Sequence, residues 1–231
     1  MSDPQQLRLR SESVQNFLKS VYALQQEMER VSTTALADVL GISAPSVTDM
    51  AQRLEEAGLL DYQKYRGVIL TEKGQQAALQ IIRRHRLIEL YLVERLGYAL
   101  HEVHDEAENL EHAVSDRFVE AISARLGHPD LDPHGDPIPA EDGTIAHRDL
   151  VALANWPPNR PATIAQIRAT SPDMLEYIIG RGLALGASVE VLARDPFEGP
   201  ITLALAGRPQ IIGHNVAACL LVEDAPARAG R

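Results

Sequence analysis

A proline-rich stretch divides this chain into two parts with different hydrophobic patterns. Residues 127–143 hold four prolines among several Asp and Gly residues, so regular secondary structure is expected to stop there. Before this stretch, apolar residues recur at helical spacing, whereas from Ile164 onward they form short runs separated by Gly and Pro. The sequence therefore predicts a mainly α chain that ends in a small all-β domain, a β-barrel.

The beginning of the helical part shows a helix-turn-helix pattern followed by a hairpin. An amphipathic helix is predicted over 11–29, a short helix over 34–40 and a tight turn over 41–43. Ser43 can cap a third helix, and the first turn of that helix tolerates Pro45. A two-stranded hairpin over 59–70, whose basic tip is Lys64-Tyr65-Arg66-Gly67, is a candidate wing.

The third helix begins with short polar side chains that suit an approach to DNA: Ser43, Ser46 and Thr48. An exposed helix N-terminus with its positive dipole end can come close to a phosphate backbone and a groove. Three basic residues would add phosphate contacts: Arg53, Lys64 and Arg66. Asp49 repels phosphate unless it accepts a hydrogen bond from a cytosine amino group. An ordinary helical hairpin inside a core is the alternative interpretation of the same spacing.

The net charge of −10 is carried entirely by the later part of the chain. Residues 1–90 contain 11 Lys and Arg against 11 Asp and Glu, whereas residues 91–231 contain 11 against 21. A neutral first part suits anion contact, and an acidic remainder suits cation binding. Cys219 is the only cysteine, and no apolar stretch approaches the ~20 residues that span a bilayer, so we expect a cytoplasmic protein without a membrane partner.

One predicted helix, over 103–126, carries a row of metal-ligating residue types: His104, Glu108, Glu111 and His112. At ~100° per residue these side chains share an arc of ~100°, which borders the apolar stripe of the same helix. On the preceding helix, predicted over 71–96, His85 and Glu89 form a second pair one turn apart. Solvated acidic faces explain either group alone, but the two groups together favour a metal site.

Catalysis by a nucleophile has little support. Cys219 lies in an apolar run, no Ser lies in a nucleophile-elbow pattern, and Gly180, Gly182 and Gly186 lack the context of a phosphate-binding loop. We therefore expect no enzyme and no small organic substrate. Two alternatives remain open at this point: a metalloenzyme that keeps water in an open metal position, and a metal-independent dimeric DNA-binding protein.

Several segments resemble the diphtheria toxin repressor family of iron- and manganese-dependent regulators, in the order in which that family has them. They are LADVLGISAPSVTDMAQRLEEAGLL, KYRGVILTEKG, RRHRLIELYL, VHDEAENLEH, PHGDPIPA and GRGLALGASVEVLARDPFEGPITLALAG. The resemblance implies a winged helix-turn-helix domain over 1–74, a helical metal-binding and dimerisation domain over 75–143, and an SH3-like or FeoA-like domain over 144–231. It also implies a homodimer that binds double-stranded operator DNA and represses metal-uptake genes.

The same resemblance implies two neighbouring metal sites in each subunit. In the iron-sensing branch one would use His85, Glu89 and His104, and the other would use Glu108, Glu111 and His112. In the manganese branch His85 belongs with the second of these groups, in a binuclear arrangement. Iron sensors commonly have Cys at position 108, and the harder oxygen donor here favours Mn²⁺, with Fe²⁺ kept open.

The chain departs from the family pattern at four positions. Asn16, a weaker donor, stands where the family has a Met or Asp ligand, and Lys19 replaces a further Glu of the manganese branch. Ser171 and Met174 stand where a Glu and a Gln of the β domain reach one site in iron sensors. Two nearby acidic residues are candidates to take over that role: Asp173 and Glu176.

Overall fold

The structure is a computed structural model that describes residues 11–169 and 171–225. The outer ends of the first and third predicted domains, residues 1–10 and 226–231, lie outside the described residues. The described residues form two compact units, the first made of 11–88, 108–125 and 138–145, and the second of 89–107, 126–137, 146–169 and 171–225. The three predicted domain boundaries stay a prediction.

Eight α-helices occur in the described part of the chain. They are α1 Glu12–Leu24, α2 Thr33–Leu40, α3 Ala44–Glu56, α4 Glu72–Tyr91, α5 Val103–Glu111, α6 Asp116–Leu126, α7 Pro172–Gly180 and α8 His214–Cys219. The strands are β1 Leu60–Gln63, β2 Gly67–Leu70, β3 Val151–Ala152, β4 Pro161–Ile167, β5 Ser188–Arg194, β6 Ile201–Leu205, β7 Arg208–Ile212 and β8 Leu220–Asp224. None of the described helices is long and apolar enough to cross a membrane.

The first unit has a core built by α1, α2, α3 and the hairpin. Apolar residues of α1 at helical spacing, Val14, Phe17, Leu18 and Val21, are buried together with residues of α2 and α3. The Oγ atom of Ser32 accepts from the amide of Ala35 at 3.1 Å and caps α2. Gly41, with φ 64°, ends α2 in the left-handed conformation. The helix-turn-helix predicted from the sequence is therefore present.

The candidate wing is an antiparallel hairpin of β1 and β2, and a third segment joins it. The amide of Val31 donates to the carbonyl of Val68 at 2.9 Å, and Val68 donates back to Val31 at 2.8 Å. A Cβ atom at Gly67, where φ is +97°, would lie 2.1 Å from the carbonyl oxygen of Val31. Glycine is thus required where the hairpin approaches the strand-like segment before α2.

The long helix predicted over 71–96 is α4 with a change of helical type at its end. The α-helix ends at Tyr91, and Leu92–Leu96 continues as a π-helical turn. Gly97, with φ 76°, terminates this turn in the left-handed conformation.

The single helix predicted over 103–126 is wrong, because two helices occupy this range. α5 ends at Glu111, and α6 begins at Asp116. Ser115 starts the second helix, since its Oγ atom accepts from the amide of Phe118 at 3.3 Å. Arg84 Nη1 donates to the carbonyl of Glu111 at 3.0 Å and satisfies an acceptor that the end of α5 leaves open.

The second unit contains a six-stranded sheet in the order β3-β8-β4-β5-β6-β7, and all its pairings are antiparallel. Its core includes Ile164, Ile178, Val191, Leu203 and Leu220. Trp156 is buried in this core, donates from Nε1 to the carbonyl of Arg160 at 3.0 Å and lies under the Arg160 guanidinium. The predicted all-β domain at the end of the chain is therefore present.

Candidate metal centre

Three side chains of the first unit converge with ligand atoms suited to a metal ion. Atoms of His85, Glu108 and Glu111 lie within 4.8 Å of one another. α4 supplies His85, while α5 supplies the two glutamates, which are three residues apart and so share a helix face. His85 and Glu111 are buried, and Glu108 is half-buried. Glu108 and Glu111 are called the carboxylate pair below.

The ammonium of Lys19, on α1, lies between the two members of the carboxylate pair. Lys19 Nζ is 2.9 Å from Glu108 Oε1 and 2.7 Å from Glu111 Oε1. The Lys19 side chain is 18% exposed and that of Glu111 is 0% exposed. A positive charge thus already bridges two oxygen donors of this cluster.

The charges of this cluster support one another despite burial. Burial favours the neutral form of Glu111, but hydrogen bonding and attraction from His85 and Lys19 outweigh it and hold the pKa of Glu111 below its ordinary value. Burial also favours neutral Lys19, yet Glu111 and Glu108 raise the pKa of its ammonium above its ordinary value. The second oxygen of Glu111, Oε2, lies 2.6 Å from His85 Nδ1.

His112 reaches the same centre from the turn that follows α5. Its Nδ1 atom lies 2.6 Å from Gln15 Oε1, and its Nε2 atom lies 3.4 Å from Glu111 Oε1. Because an amide oxygen only accepts, Nδ1 donates to Gln15, and this hydrogen bond orients the ring so that Nε2 faces Glu111. A hydrogen bond of this kind orients metal-ligating histidines in many proteins.

Asn16 has a buried polar atom that lacks a protein partner. Its Oδ1 atom accepts no hydrogen bond from any residue that the structure describes. Leaving such an atom buried and unsatisfied costs about 1–3 kcal/mol. Asn16 is three residues before Lys19 on α1, so the two side chains project from the same side of that helix. The orphaned oxygen and the oxygen and nitrogen donors of the first unit fit a divalent cation.

The second unit contains two further residues of the predicted set. Glu89 Oε1 lies 3.1 Å from His104 Nδ1, with the glutamate buried and the histidine side chain 59% exposed. His85 precedes Glu89 by one turn on α4. The substitutes suggested for the β domain are not brought to a ligand group: among the described residues, neither Asp173 nor Glu176 belongs to a cluster of three metal-ligating side chains. Met174 packs on the core of the second unit instead.

The predicted DNA-binding residues form a surface of the first unit. Ser43, Pro45 and Ser46 are exposed at the start of α3, where Ser43 Oγ accepts from the Ser46 amide at 3.3 Å. Thr48 Oγ1 donates to the carbonyl of Ala44 at 3.0 Å. Asp49 has a local partner, because its Oδ2 atom lies 3.9 Å from Arg53 Nη1.

The wing tip presents two cations and one aromatic ring to solvent. Lys64 Nζ lies 5.1 Å from the centre of the Tyr65 ring, and Tyr65 is 93% exposed with φ 67°. Arg66 Nη1 donates to Gln63 Oε1 at 3.2 Å.

Three residues of these sites were not identified from the sequence. Gln15 and Tyr65 were assigned no role, and Lys19 was treated only as a residue that cannot ligate. The spacing of Gln15 and Lys19, one turn apart on α1 beside Asn16, is the signal that points to a shared polar face.

Three family models match successive parts of the chain. The N-terminal DNA-binding domain of iron-dependent repressors matches residues 10–68, and the metal-binding and dimerisation domain of those repressors matches residues 71–140. The FeoA domain matches residues 151–224. These matches agree with the predicted order of a DNA-binding part, a metal-binding and dimerisation part, and a FeoA-like part.

Relatives match this chain over most of their own length. The diphtheria toxin repressor of Corynebacterium glutamicum is 31% identical over 92% of this chain and 92% of its own length. The iron-dependent repressor IdeR of Mycobacterium leprae is 28% identical over 92% of this chain and 97% of its own. A manganese-dependent transcriptional repressor, solved in complex with manganese, is 40% identical, with a TM-score of 0.83 over 91% of this chain and 99% of that one.

Proposed function

The chain belongs to the diphtheria toxin repressor family of metal-dependent DNA-binding transcriptional regulators, and from this membership we propose that it is a manganese sensor that represses metal-uptake genes. The family consists of transcriptional repressors, so the metalloenzyme alternative is set aside. The protein would act in the cytoplasm as a homodimer on double-stranded operator DNA, with Fe²⁺ as the second candidate ion.

The observation that carries the choice of manganese is the chemistry of the donor set. The carboxylate pair and His85 offer oxygen and imidazole nitrogen, and the only cysteine, Cys219, packs on the core of the second unit. Carboxylate oxygens suit Mn²⁺, whereas thiolates select softer ions. The 40% identity to a repressor solved with manganese supports the same choice.

We assign two neighbouring metal positions to each subunit. The first uses Glu108, Glu111 and His112, with Asn16 as a weaker oxygen donor from α1. The second uses Glu89 and His104. The family resemblance adds His85 to this position in the iron branch and to the first position in the manganese branch. A bound divalent cation supplies the positive charge that draws carboxylate, imidazole and amide donors toward one point.

α1 is the element that connects this centre with the DNA-binding surface. Gln15 and Lys19 contact His112 and the carboxylate pair, while Phe17 and Leu18 lie in the core that also contains Val47 of α3. When α1 is fixed on the metal-ligating residues, the orientation of the recognition helix α3 is fixed with it. Two recognition helices in a dimer must lie ~34 Å apart on DNA, so a small reorientation of each weakens both contacts together.

DNA contact is assigned to the start of α3 and to the wing. Ser43, Pro45, Ser46, Thr48 and Asp49 approach the groove. Three cations approach the phosphates: Arg53, Lys64 and Arg66. Their exposure and the helix N-terminus beside them support this assignment.

The decisive experiment removes ligands from the first position. Glu108→Ala combined with His112→Ala should abolish the Mn²⁺-dependent part of operator binding, measured by fluorescence anisotropy on promoter DNA at one fixed salt concentration. A matched control, Glu27→Ala with His147→Ala, removes the same residue types from exposed positions and should bind as the wild type does. A double variant that keeps its fold by circular dichroism and still responds to Mn²⁺ would contradict the assignment.

Metal-independent DNA binding is the remaining alternative, and thermal melting distinguishes it. An ion that binds the native protein must raise the melting temperature of the protein. Melting curves that coincide in Mn²⁺ and in excess EDTA would favour the alternative, and a rise in Mn²⁺ that the double variant lacks favours the sensor.

A further inference from the structure

We propose that Lys19 is a tethered cation that competes with the metal ion for the carboxylate pair and thereby sets the ion concentration at which the protein responds. This inference rests on the proposed function, because it assigns a metal ion to the same carboxylates. It concerns a residue that the ligand assignment leaves out, since an ammonium group cannot ligate a cation.

The geometry places the Lys19 charge where an ion would have to bind. A single Nζ atom contacts one oxygen of each carboxylate, at 2.9 Å and 2.7 Å. The same Glu111 oxygen lies 3.4 Å from His112 Nε2, the atom assigned as a ligand. An ion held by Glu111 and His112 therefore meets the ammonium of Lys19 at the oxygen that both require.

The charges make it unfavourable for the ion and the Lys19 ammonium to occupy the carboxylate pair at the same time. The carboxylate pair carries two negative charges, and Lys19 already neutralises one of them. A divalent ion added beside the ammonium would bring three positive charges to two negative ones in a site where Glu111 is fully buried. Burial weakens solvent screening and so strengthens this repulsion. Binding of the ion is expected to displace the ammonium from the carboxylate pair.

Lysine is suited to being displaced. Its ammonium is a compact point charge on a flexible four-carbon stem and forms no rigid two-pronged pair with carboxylate, unlike the guanidinium of arginine. The Lys19 side chain is 18% exposed and that of Glu108 is 42% exposed, so solvent reaches this edge of the cluster. The ammonium can therefore leave the pair for water while the stem stays on α1.

The contact of Lys19 with the carboxylate pair also stabilises the metal-free protein. Without a cation, Glu111 would be a buried carboxylate beside a second carboxylate, an arrangement that burial and repulsion both disfavour. Lys19 supplies the missing charge and joins α1 to α5 before any ion binds. Lys19 thus raises the ion concentration needed for activation, because the ion must displace it. When no ion is bound, Lys19 reduces the repulsion between the two carboxylates.

Titration of the full-length protein tests this role. Lys19→Gln and Lys19→Met remove the charge. A charge at contact distance shifts the pKa of a neighbouring group by about one to three units, and we expect ion binding to the same carboxylates to respond on a comparable scale. We expect both variants to bind Mn²⁺ at least about tenfold more tightly than the wild type by isothermal titration calorimetry. In EDTA, both should melt at a lower temperature than the wild type, because Glu111 then lacks its cation.

Lys73→Gln is the matched control, because Lys73 is also in the first unit and its Nζ atom donates to the backbone carbonyl of Ala57 at 3.2 Å. It should leave the Mn²⁺ affinity within about twofold of the wild type, since its charge acts only through screened, long-range attraction. An affinity in the Lys19 variants that is unchanged, weakened or matched by Lys73→Gln would overturn the proposal. A wild-type protein that binds no Mn²⁺ at all would instead overturn the proposed function.

Discussion

At the scale of single residues, Glu111 is the side chain on which the candidate centre depends most. It is 0% exposed and its two oxygens contact Lys19, His85 and His112. A buried carboxylate is tolerated only when its charge is neutralised and its oxygens accept hydrogen bonds. The cluster therefore has a structural role in the metal-free protein as well as a ligand role.

The low pKa of Glu111 makes the metal-free protein sensitive to acid. Burial opposes ionisation, but His85 and Lys19 bring the pKa below its ordinary value of 4.5. A carboxyl whose pKa is lowered by folding stabilises the native state above its unfolded pKa, and this contribution disappears as the pH falls through the folded pKa. In EDTA, the difference in unfolding free energy between the wild type and Glu111→Gln should therefore shrink as the pH falls below about 4.5.

Urea unfolding at a series of pH values, followed by circular dichroism, measures this difference. Glu27→Gln, at an exposed position, serves as the control and should differ little from the wild type at any pH. A Glu111→Gln deficit that stays constant down to pH ~3 would show that the Glu111 charge contributes nothing to stability.

At the scale of elements, the sequence predicted the ends of the helices in the first unit to within five residues and failed at one break. The apolar stripe that includes Leu110, Val114 and Phe118 continues at helical spacing across the gap between α5 and α6, so periodicity could not reveal it. The break depends on a capping Ser115 and on an Arg84 contact from another helix, and only the first of these is visible locally. Phe118, placed on the apolar stripe, is 50% exposed.

The candidate site was predictable in part, because spacing along one helix is visible in the sequence and the packing of different helices is not. Glu108 and Glu111 lie on one helix, so their spacing alone indicates that they share a face. The contact of Lys19 with Glu108 joins residues 89 positions apart and depends on how α1 packs. Family resemblance supplied the expected ligand types, but it assigned Lys19 no positive role.

The wing gives a prediction at the same scale. Gly67→Ala should destabilise the first unit by more than Gly58→Ala, although both glycines have positive φ, +97° and +71°. The strain of a left-handed residue, about 1 kcal/mol, is common to both variants. Only at Gly67 would the new Cβ collide with a backbone atom, the carbonyl oxygen of Val31 at 2.1 Å, whereas at Gly58 nothing lies within 4 Å.

Chemical denaturation followed by far-ultraviolet circular dichroism compares the two variants. Gly67→Ala should also weaken DNA binding more than Gly58→Ala does, because the wing carries Lys64 and Arg66. Equal losses of stability in the two variants would show that the hairpin can move away from Val31 at no cost.

At the scale of the whole molecule, metal and DNA must affect each other equally. If the ion tightens operator binding by a given factor, operator DNA tightens ion binding by that same factor, and such couplings are typically ~1–3 kcal/mol. Titration of Mn²⁺ into the protein with and without saturating operator DNA should therefore show about 5- to 150-fold tighter ion binding in the complex. An Mn²⁺ affinity that DNA leaves unchanged would mean that ion and DNA are not thermodynamically linked.

The position of Trp156 makes the tryptophan fluorescence of this protein specific to one of its two units. It is the only tryptophan of the chain, and it lies in the core of the second unit. The fluorescence of the indole ring, excited at long ultraviolet wavelengths, therefore reports solvent entry into the second unit. The loss of helical ellipticity is instead weighted toward α1 to α6. Superimposed fluorescence and ellipticity transitions would show that the two units unfold as one cooperative block, and separated transitions would give each unit its own melting curve from a single unlabelled sample.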